Sequence, residues 1–390
     1  MTPADLDRLT ALRHALHRRP EISGEEKETA AHLAGLLRSM GADRVLTGIG
    51  GHGVAAVFES GVEGPVVGLR CELDALPITE LGLSDHVSEI AGNGHLCGHD
   101  GHMVTVLAVG EALARTGPAR GRAVLIFQPA EETGKGAVAY RADPQFADIA
   151  PDIVLSLHNL PGLPMGAVEL CTGAANCASR GMAIRLFGKT AHAAAPQDGL
   201  SPAAAMAALM PRLAALGPGG PLDDRFALTT LTHARLGQAT FGVSPGEGEL
   251  WVTLRTVTDA RMTELMAEAE ALVQAEAAAA GLGVEIFYDD VFEACTNDPE
   301  AVELLKTACN DGAVPLRLTS TPQKFSEDFG QFGKGARAGM FWLGAGEDHP
   351  RLHNPDYDFP DALIPVAAGI FERALRAVLG HGPVNSQAAP

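Results

Sequence analysis

Apolar positions fall at helical spacing over residues 6–18 and 25–40, where Ala30, Leu33, Leu36 and Leu37 line one face and Met40-Gly41 ends the run. Two surface helices are expected there. Short runs rich in β-branched residues follow at Val54 to Phe58, Val66 to Leu69 and Val124 to Phe127, and the spacing predicts a helix over Met103 to Ala114 between the last two. Ile153 to Leu157 reads as a further strand that ends at His158. Alternation of this kind predicts an α/β domain in which helices flank a mixed central sheet.

From about Ala175 the texture changes. Met182 to Phe187, Phe226 to His233, Leu250 to Thr256 and Val284 to Tyr288 read as strands, with helices expected at Ser201 to Leu216 and Arg261 to Ala280, the second stopped by Gly281-Leu282-Gly283. A βαββαβ order makes a self-sufficient small domain. Candidate site residues resume beyond it, at Glu327 and His353, so it is expected to interrupt the larger domain. The predicted boundaries are 1–174 and 292–390 for the two parts of the larger domain and 175–291 for the insert.

The chain has 390 residues, 46% of them apolar, enough for two cores of ordinary size. Its 29 Lys and Arg stand against 48 Asp and Glu, a formal charge of −19, and the only basic run is the pair Arg18-Arg19. Nucleic acid and anionic membranes are therefore not expected as partners. Met1 to Arg19 alternates charged and apolar residues and lacks the continuous apolar stretch of a secretory signal. With no segment approaching the roughly 18 to 20 apolar residues of a membrane span, a soluble cytoplasmic protein is the expectation. The six cysteines show no CxxC spacing and are expected to be reduced.

Chemistry is concentrated in one place. Gly94 to His102 holds three imidazoles, a thiol and a carboxylate: His95, Cys97, His99, Asp100 and His102. Zinc and its neighbours prefer such ligands, and a two-ion hydrolytic site, its ions roughly 3.5 to 4 Å apart, needs about five of them. Cys97 and His99, separated by Gly98, can face one cluster from an extended or turning loop. Glu131-Glu132 follows a predicted strand, and adjacent carboxylates can divide the labour, one on metal and its neighbour moving protons. Alone, that pair would read as a solvated acidic loop, and His158 as a core histidine. Together with Glu72 and Asp74 they lie after strands, where open α/β sheets gather ligands.

The motifs Arg13 to Ala30 (RHALHRRPEISGEEKETA), Cys71 to Pro77 (CELDALP), His95 to His102 (HLCGHDGH), Gln128 to Gly134 (QPAEETG), Leu157 to Gly166 (LHNLPGLPMG), Ala191 to Pro196 (AHAAAP), Ser326 to Phe329 (SEDF) and Leu352 to Pro355 (LHNP) span almost the whole chain. In this order they resemble the metal-dependent amidohydrolases that include hippurate hydrolase, indoleacetyl-amino-acid hydrolase and N-acetyl-diaminopimelate deacetylase, relatives of aminoacylase and carboxypeptidase G. The resemblance implies a catalytic domain interrupted by a lid or dimerisation domain. It implies two divalent ions per subunit, zinc or manganese first and cobalt or nickel next, held by Cys97, His99, Glu132, His158 and His353, with Cys97 as the bridge. Glu131 is implied as general base, Asp74 as the carboxylate that orients the site, and His192 as the lid histidine that reaches the substrate carbonyl. The implied substrate is an N-acyl amino acid. A homodimer through the lid domain is expected, formed by its outer strands and the helix 261–280.

Three segments depart from the family pattern. Glu72 stands where relatives have Asp, Thr190-Ala191 precedes His192 in place of Gly-Gly, and Gly242 replaces an Asn expected to help hold the substrate. Losing that amide removes a donor and an acceptor, so altered substrate preference is expected. Three rival readings remain: a dipeptidase or carboxypeptidase of the same superfamily, a cysteine hydrolase using Cys97 with His99 or His102, and a catalytically retired binding or assembly protein.

Overall fold

A computed structural model of the protein describes residues 1–384, which divide into two compact units. One comprises residues 1–175, 296–320 and 328 onward, the other residues 176–295 and 321–327.

The first unit is built on an eight-stranded mixed sheet with the spatial order Arg44–Ile49, Gly53–Glu59, Arg122–Gln128, Val66–Glu72, Ile153–Leu160, Arg337–Gly344, Val168–Cys171 and Leu316–Thr319. The four central strands, from Arg122–Gln128 to Arg337–Gly344, run parallel, and antiparallel pairs attach the strands on either side. Strands covered on both faces read as continuous apolar runs, and Gly53–Glu59 and Val66–Glu72 do so. Val67, Leu69, Leu125, Phe127, Leu155 and Leu157 form one core with residues of the helices His99–Arg115, Pro299–Asp311 and Leu363–Leu379.

Parallel register brings the carboxyl ends of the central strands to one rim: Glu72 pairs with Gln128, and Trp342 with His158. Two strands run further than periodicity predicts. Val66–Glu72 continues through Glu72 because Arg122–Gln128 keeps pairing with it, and Ile153–Leu160 carries His158 inside the strand, where Arg337–Gly344 pairs as far as Leu160. The helix His99–Arg115 starts four residues before Met103, so of the extended and turning alternatives the turn holds for Cys97, while His99 opens the helix. Its first turn has no side-chain cap to announce it.

The second unit is a four-stranded antiparallel sheet in the order Ala227–Leu236, Glu247–Thr256, Ala178–Phe187 and Gly283–Phe292. The helices Ala203–Leu216 and Asp259–Ala279 bury Leu209, Leu213, Leu265 and Val273 against Ile184, Leu186, Leu250 and Val252. In chain order these are the βαββαβ elements. Thr258 caps the second helix by accepting from the Arg261 amide. The segment Thr321–Glu327 joins this unit through bonds from the Cys177 amide to the Gln323 carbonyl (3.1 Å) and from Arg255 to Ser326 Oγ (3.0 Å), partners that no local pattern reveals. No described helix is long and apolar enough to cross a membrane.

Candidate metal centre

Within the first unit, the rim of the parallel strands gathers Cys97, His99, Glu131, Glu132, His158 and His353. Cys97, His99 and His158 place their ligand atoms within 4.8 Å of one another, and so do Cys97, Glu132 and His353, and His99, Glu131 and Glu132. Cys97 Sγ lies 3.4 Å from His158 Nε2, and Glu132 Oε1 lies 3.5 Å from His353 Nε2 and 3.9 Å from His99 Nε2. Cys97 and Glu132 belong to overlapping groups, as ligands shared by two neighbouring ions would.

The backbone aims these groups. Gly98, at φ +88°, turns the chain from Cys97 into the helix, and a Cβ there would stand 2.5 Å from Asn159 Oδ1. His99 Nδ1 lies 2.9 Å from the Asp74 carbonyl and His158 Nδ1 lies 2.8 Å from the Asn159 carbonyl. A carbonyl only accepts, so both rings donate from Nδ1 and turn Nε2 toward the cluster. His353, about half exposed, sits at φ +66° with its amide donating to the Leu96 carbonyl (2.8 Å).

Asp74, fully buried, ties the two sides together. Its Oδ2 accepts from Ser23 Oγ (2.6 Å) and from the Glu132 amide (3.0 Å), while Oδ1 stands 3.5 Å from His99 Nδ1. Burial alone would raise its pKa, but the bonds from His99, Ser23 and Glu132 bring it below the ordinary value. Behind it lies a polar network that sequence patterns did not disclose. Arg70 bonds Glu72, Gln128 (2.9 Å) and Asp328 (2.7 Å). Glu72 in turn holds His102 Nδ1 (2.6 Å), and His102 Nε2 meets Asn159 Oδ1 (2.6 Å). Burial opposes the charge on Glu72, yet Arg70 and then His102 hold its carboxyl well below the usual range. The one available signal was a charged residue, Arg70, inside an apolar strand.

Electrostatics separate the ligands. Burial, and then the neighbouring His102 ring, hold His158 well below the ordinary imidazole value, so it is neutral and able to bind metal. For His99 burial also disfavours charge, but the Asp74 bond and the Glu72, Asp74 and Glu132 carboxylates outweigh it and carry the ring up to about 10. This pocket favours a positive charge. Burial, followed by Glu132 and Glu131, pushes the Cys97 thiol well above its usual value, so a thiolate there needs a cation beside it.

Among the described residues, the buried atoms His99 Nε2, Glu132 Oε1 and Asp74 Oδ1 on this rim have no hydrogen-bond partner. Buried polar groups left this way ordinarily face an ion or ordered water. The donor set of thiol, imidazole and carboxylate fits divalent transition metals.

Of the remaining sequence candidates, Glu327 falls in the second unit and is buried there. His192 lies in that unit on the short strand Ala191–His192, paired with Val243–Ser244. Its Nδ1 accepts from the Ala194 amide (3.0 Å), which leaves the ring proton on Nε2 as a donor. Beside it, Gly242 accepts from the Ala193 amide, and a Cβ on Gly242 would meet nothing within 4 Å.

Residues 68–377 match the family described as peptidase family M20/M25/M40. The chain is 29% identical to N-acetyl-L-cysteine deacetylase of Bacillus subtilis over 94% of its own length and 88% of the relative's. It is 28% identical to hippurate hydrolase of Campylobacter jejuni, covering 93% of this chain and 94% of that one. A crystal structure of a dinuclear metal-binding peptidase from Bacillus subtilis shares the fold, with a TM-score of 0.81 at 23% identity over 97% of this chain and 99% of that one. The match covers both the helix that opens at His99 and the strand that carries His158, and the chain belongs to peptidase family M20/M25/M40.

Proposed function

We propose that the protein hydrolyses the amide bond of N-acyl amino acids or similar small amides with the help of two divalent ions, releasing a carboxylic acid and a free amine or amino acid. The observation that carries this is the convergence of Cys97, His99, Glu132, His158 and His353 with two buried ligand atoms left unpartnered. The relatives named for deacetylation and for hippurate hydrolysis support the substrate class. The raised Cys97 thiol speaks against a cysteine nucleophile.

Cys97, His99, Glu132, His158 and His353 would hold the two ions, which when bound would lower the pKa of a water and polarise the amide carbonyl. Glu131, beside Glu132 on the same turn, takes the proton of the attacking water and returns it to the departing amine, which leaves poorly as an anion. His192 offers its Nε2 proton to the oxyanion. Asp74 fixes the His99 ring and the Glu132 backbone. Zinc or manganese is the expected metal, ahead of cobalt and nickel, since all four suit N, O and S donors. Gly242 leaves the lid hairpin without a side-chain amide, and the substrate preference of this chain follows from that gap. In solution the protein is a homodimer joined through the second unit.

The deciding experiment measures amino acid release from hippurate, N-acetyl and indoleacetyl amino acids by metal-loaded wild type and Glu131→Gln. The variant should lose roughly 10²- to 10⁴-fold in kcat while binding as much metal as wild type. Turnover by Glu131→Gln at the wild-type rate would remove Glu131 as base. A metal-loaded wild type silent on the whole panel would favour the retired-scaffold reading, and peptide turnover matching N-acyl turnover would favour a dipeptidase.

A further inference from the structure

The turn that presents Glu131 is unusual in its backbone. Ala130 sits at φ +52°, in the left-handed region that a residue with a Cβ rarely adopts. Such strain persists only where the surroundings over-determine it. Here the Ala130 amide donates to Glu26 Oε1 (2.8 Å), and the Ala130 carbonyl accepts from the Gly136 amide (3.0 Å) and Thr133 Oγ1 (3.2 Å). On the far side of Glu131, the Glu132 amide donates to Asp74 Oδ2. The amides on both sides of Glu131 therefore end on buried carboxylates from distant parts of the chain.

Glu26 belongs to the motif Arg13 to Ala30, to which the proposed chemistry assigns no role. It is completely buried at the start of the helix Lys27–Ser39, where its Oε1 also accepts from the Gly24 amide (2.8 Å) and its Oε2 has no hydrogen-bond partner among the described residues. Burial pushes its pKa up and the backbone donors pull it back. A side chain needed only to fill space would not carry an unpartnered carboxylate oxygen into the interior.

We propose that Glu26 is a positioning residue for proton transfer: it pins the left-handed Ala130 turn and so fixes where the Glu131 carboxylate stands relative to the reacting water. The proposal rests on Glu131 as general base. Without Glu26 the turn relaxes toward an ordinary backbone conformation and swings Glu131, whereas Glu132, its amide tethered by Asp74, keeps its place beside His99 and His353.

The test compares kcat, KM and bound metal for wild type, Glu26→Ala, Glu26→Gln, Ala130→Gly and the double variant Glu26→Ala/Ala130→Gly. A displacement of about 1 Å costs on the order of 100-fold, so Glu26→Ala should lose roughly that factor in kcat with KM and metal content unchanged. Glu26→Gln keeps an acceptor and should recover most of the rate. Glycine takes φ +52° without strain, so the Glu26→Ala loss should shrink to about tenfold or less in the Ala130→Gly background. A folded, metal-loaded Glu26→Ala with wild-type kcat overturns the proposal, as does an equal loss in both backgrounds. Should Glu26→Ala not fold, Ala130→Val strains the same turn without touching Glu26; a lowered kcat supports the proposal and an unchanged one overturns it. Loss of activity in Glu131→Gln but not in the turn variants defeats this inference alone, while an active Glu131→Gln defeats the reading beneath it.

Discussion

Asp74 illustrates how a residue that need not touch the substrate can govern a site. Its carboxylate accepts from the Glu132 amide and the Ser23 hydroxyl and its backbone carbonyl meets the His99 ring, and each bond serves a different segment of the chain. Groups that orient metal ligands in this way typically contribute about 10- to 100-fold in metal affinity. Asp74→Ala should therefore weaken zinc binding by about that factor, read by competition with a chromophoric chelator. Unchanged affinity would mean that the His99 carbonyl contact and the turn suffice to hold the ligands. The candidate ligands themselves were legible because Cys97, His99 and His102 crowd into one short run. Arg70 and Glu26 were not, since their meaning comes from Asp328 and Ala130, 258 and 104 residues away.

Elements repeat that lesson with helices and strands. The pattern finds three of the four central strands and the two helices of the second unit, but not the central strand Arg337–Gly344, the four-residue strand Val168–Cys171, too short to show a period, or the helix Leu363–Leu379. It also cannot foresee how the first helix, Pro3–His17, locks onto the helix that opens with His99. Arg13 reaches Asp100 (3.0 Å), Asp358 (2.7 Å) and Asp361 (2.6 Å), and the buried His17 sets Nδ1 against Asp100 (2.8 Å) and Nε2 against Glu80 (3.2 Å). His17 also faces Asp358 at 4.0 Å, the Arg13 guanidinium and the rings of His86 and His95. With carboxylates at both nitrogens the ring donates twice, as an imidazolium. Burial opposes that charge, but Asp100 and then Glu80 outweigh it and raise the pKa from 6.5 to about 10. A folded-state value above the unfolded one means stability that is complete below pH 6.5 and lost as pH rises toward 10. Urea midpoints of wild type should fall between pH 6.5 and pH 9.5 by the equivalent of about 3 to 4 kcal/mol. His17→Gln should be less stable at pH 6.5 and lack most of that slope. An equal slope in both proteins would place the titrating group elsewhere.

At the scale of the whole molecule the second unit poses the open question, because its sheet is covered on only one face by its own helices. The covered face holds Ile184, Val252 and Ile286, while strand alternation turns Trp251 and Phe287 to the other, where both pair with Ala183 and remain about half exposed. Arg185 lies over the Phe287 ring at 5.2 Å, and His233 packs on Trp251. The helix Asp259–Ala279, by contrast, turns Glu264 and Glu268 outward, so apolar exposure favours the sheet rather than that helix as the joining surface. Gly283–Phe292 and Ala227–Leu236 stand at the edges of this sheet, the latter paired on its outer side only at Ala227 to Thr229 by the segment Gly217 to Gly219, and such edges are ordinarily covered or blunted. A two-fold partner satisfies both demands with one self-complementary contact. Light scattering at micromolar concentration should then give twice the 40.5 kDa of the chain, and the double variant Trp251→Asp/Phe287→Asp should give the mass of one. Because both residues stand outside the packed core of the unit, the variant should keep its fold and its metal, so that any fall in kcat reports what the second subunit contributes. A single-chain mass for wild type would remove the dimer altogether, and a double variant that stays at twice the mass would move the interface off this face.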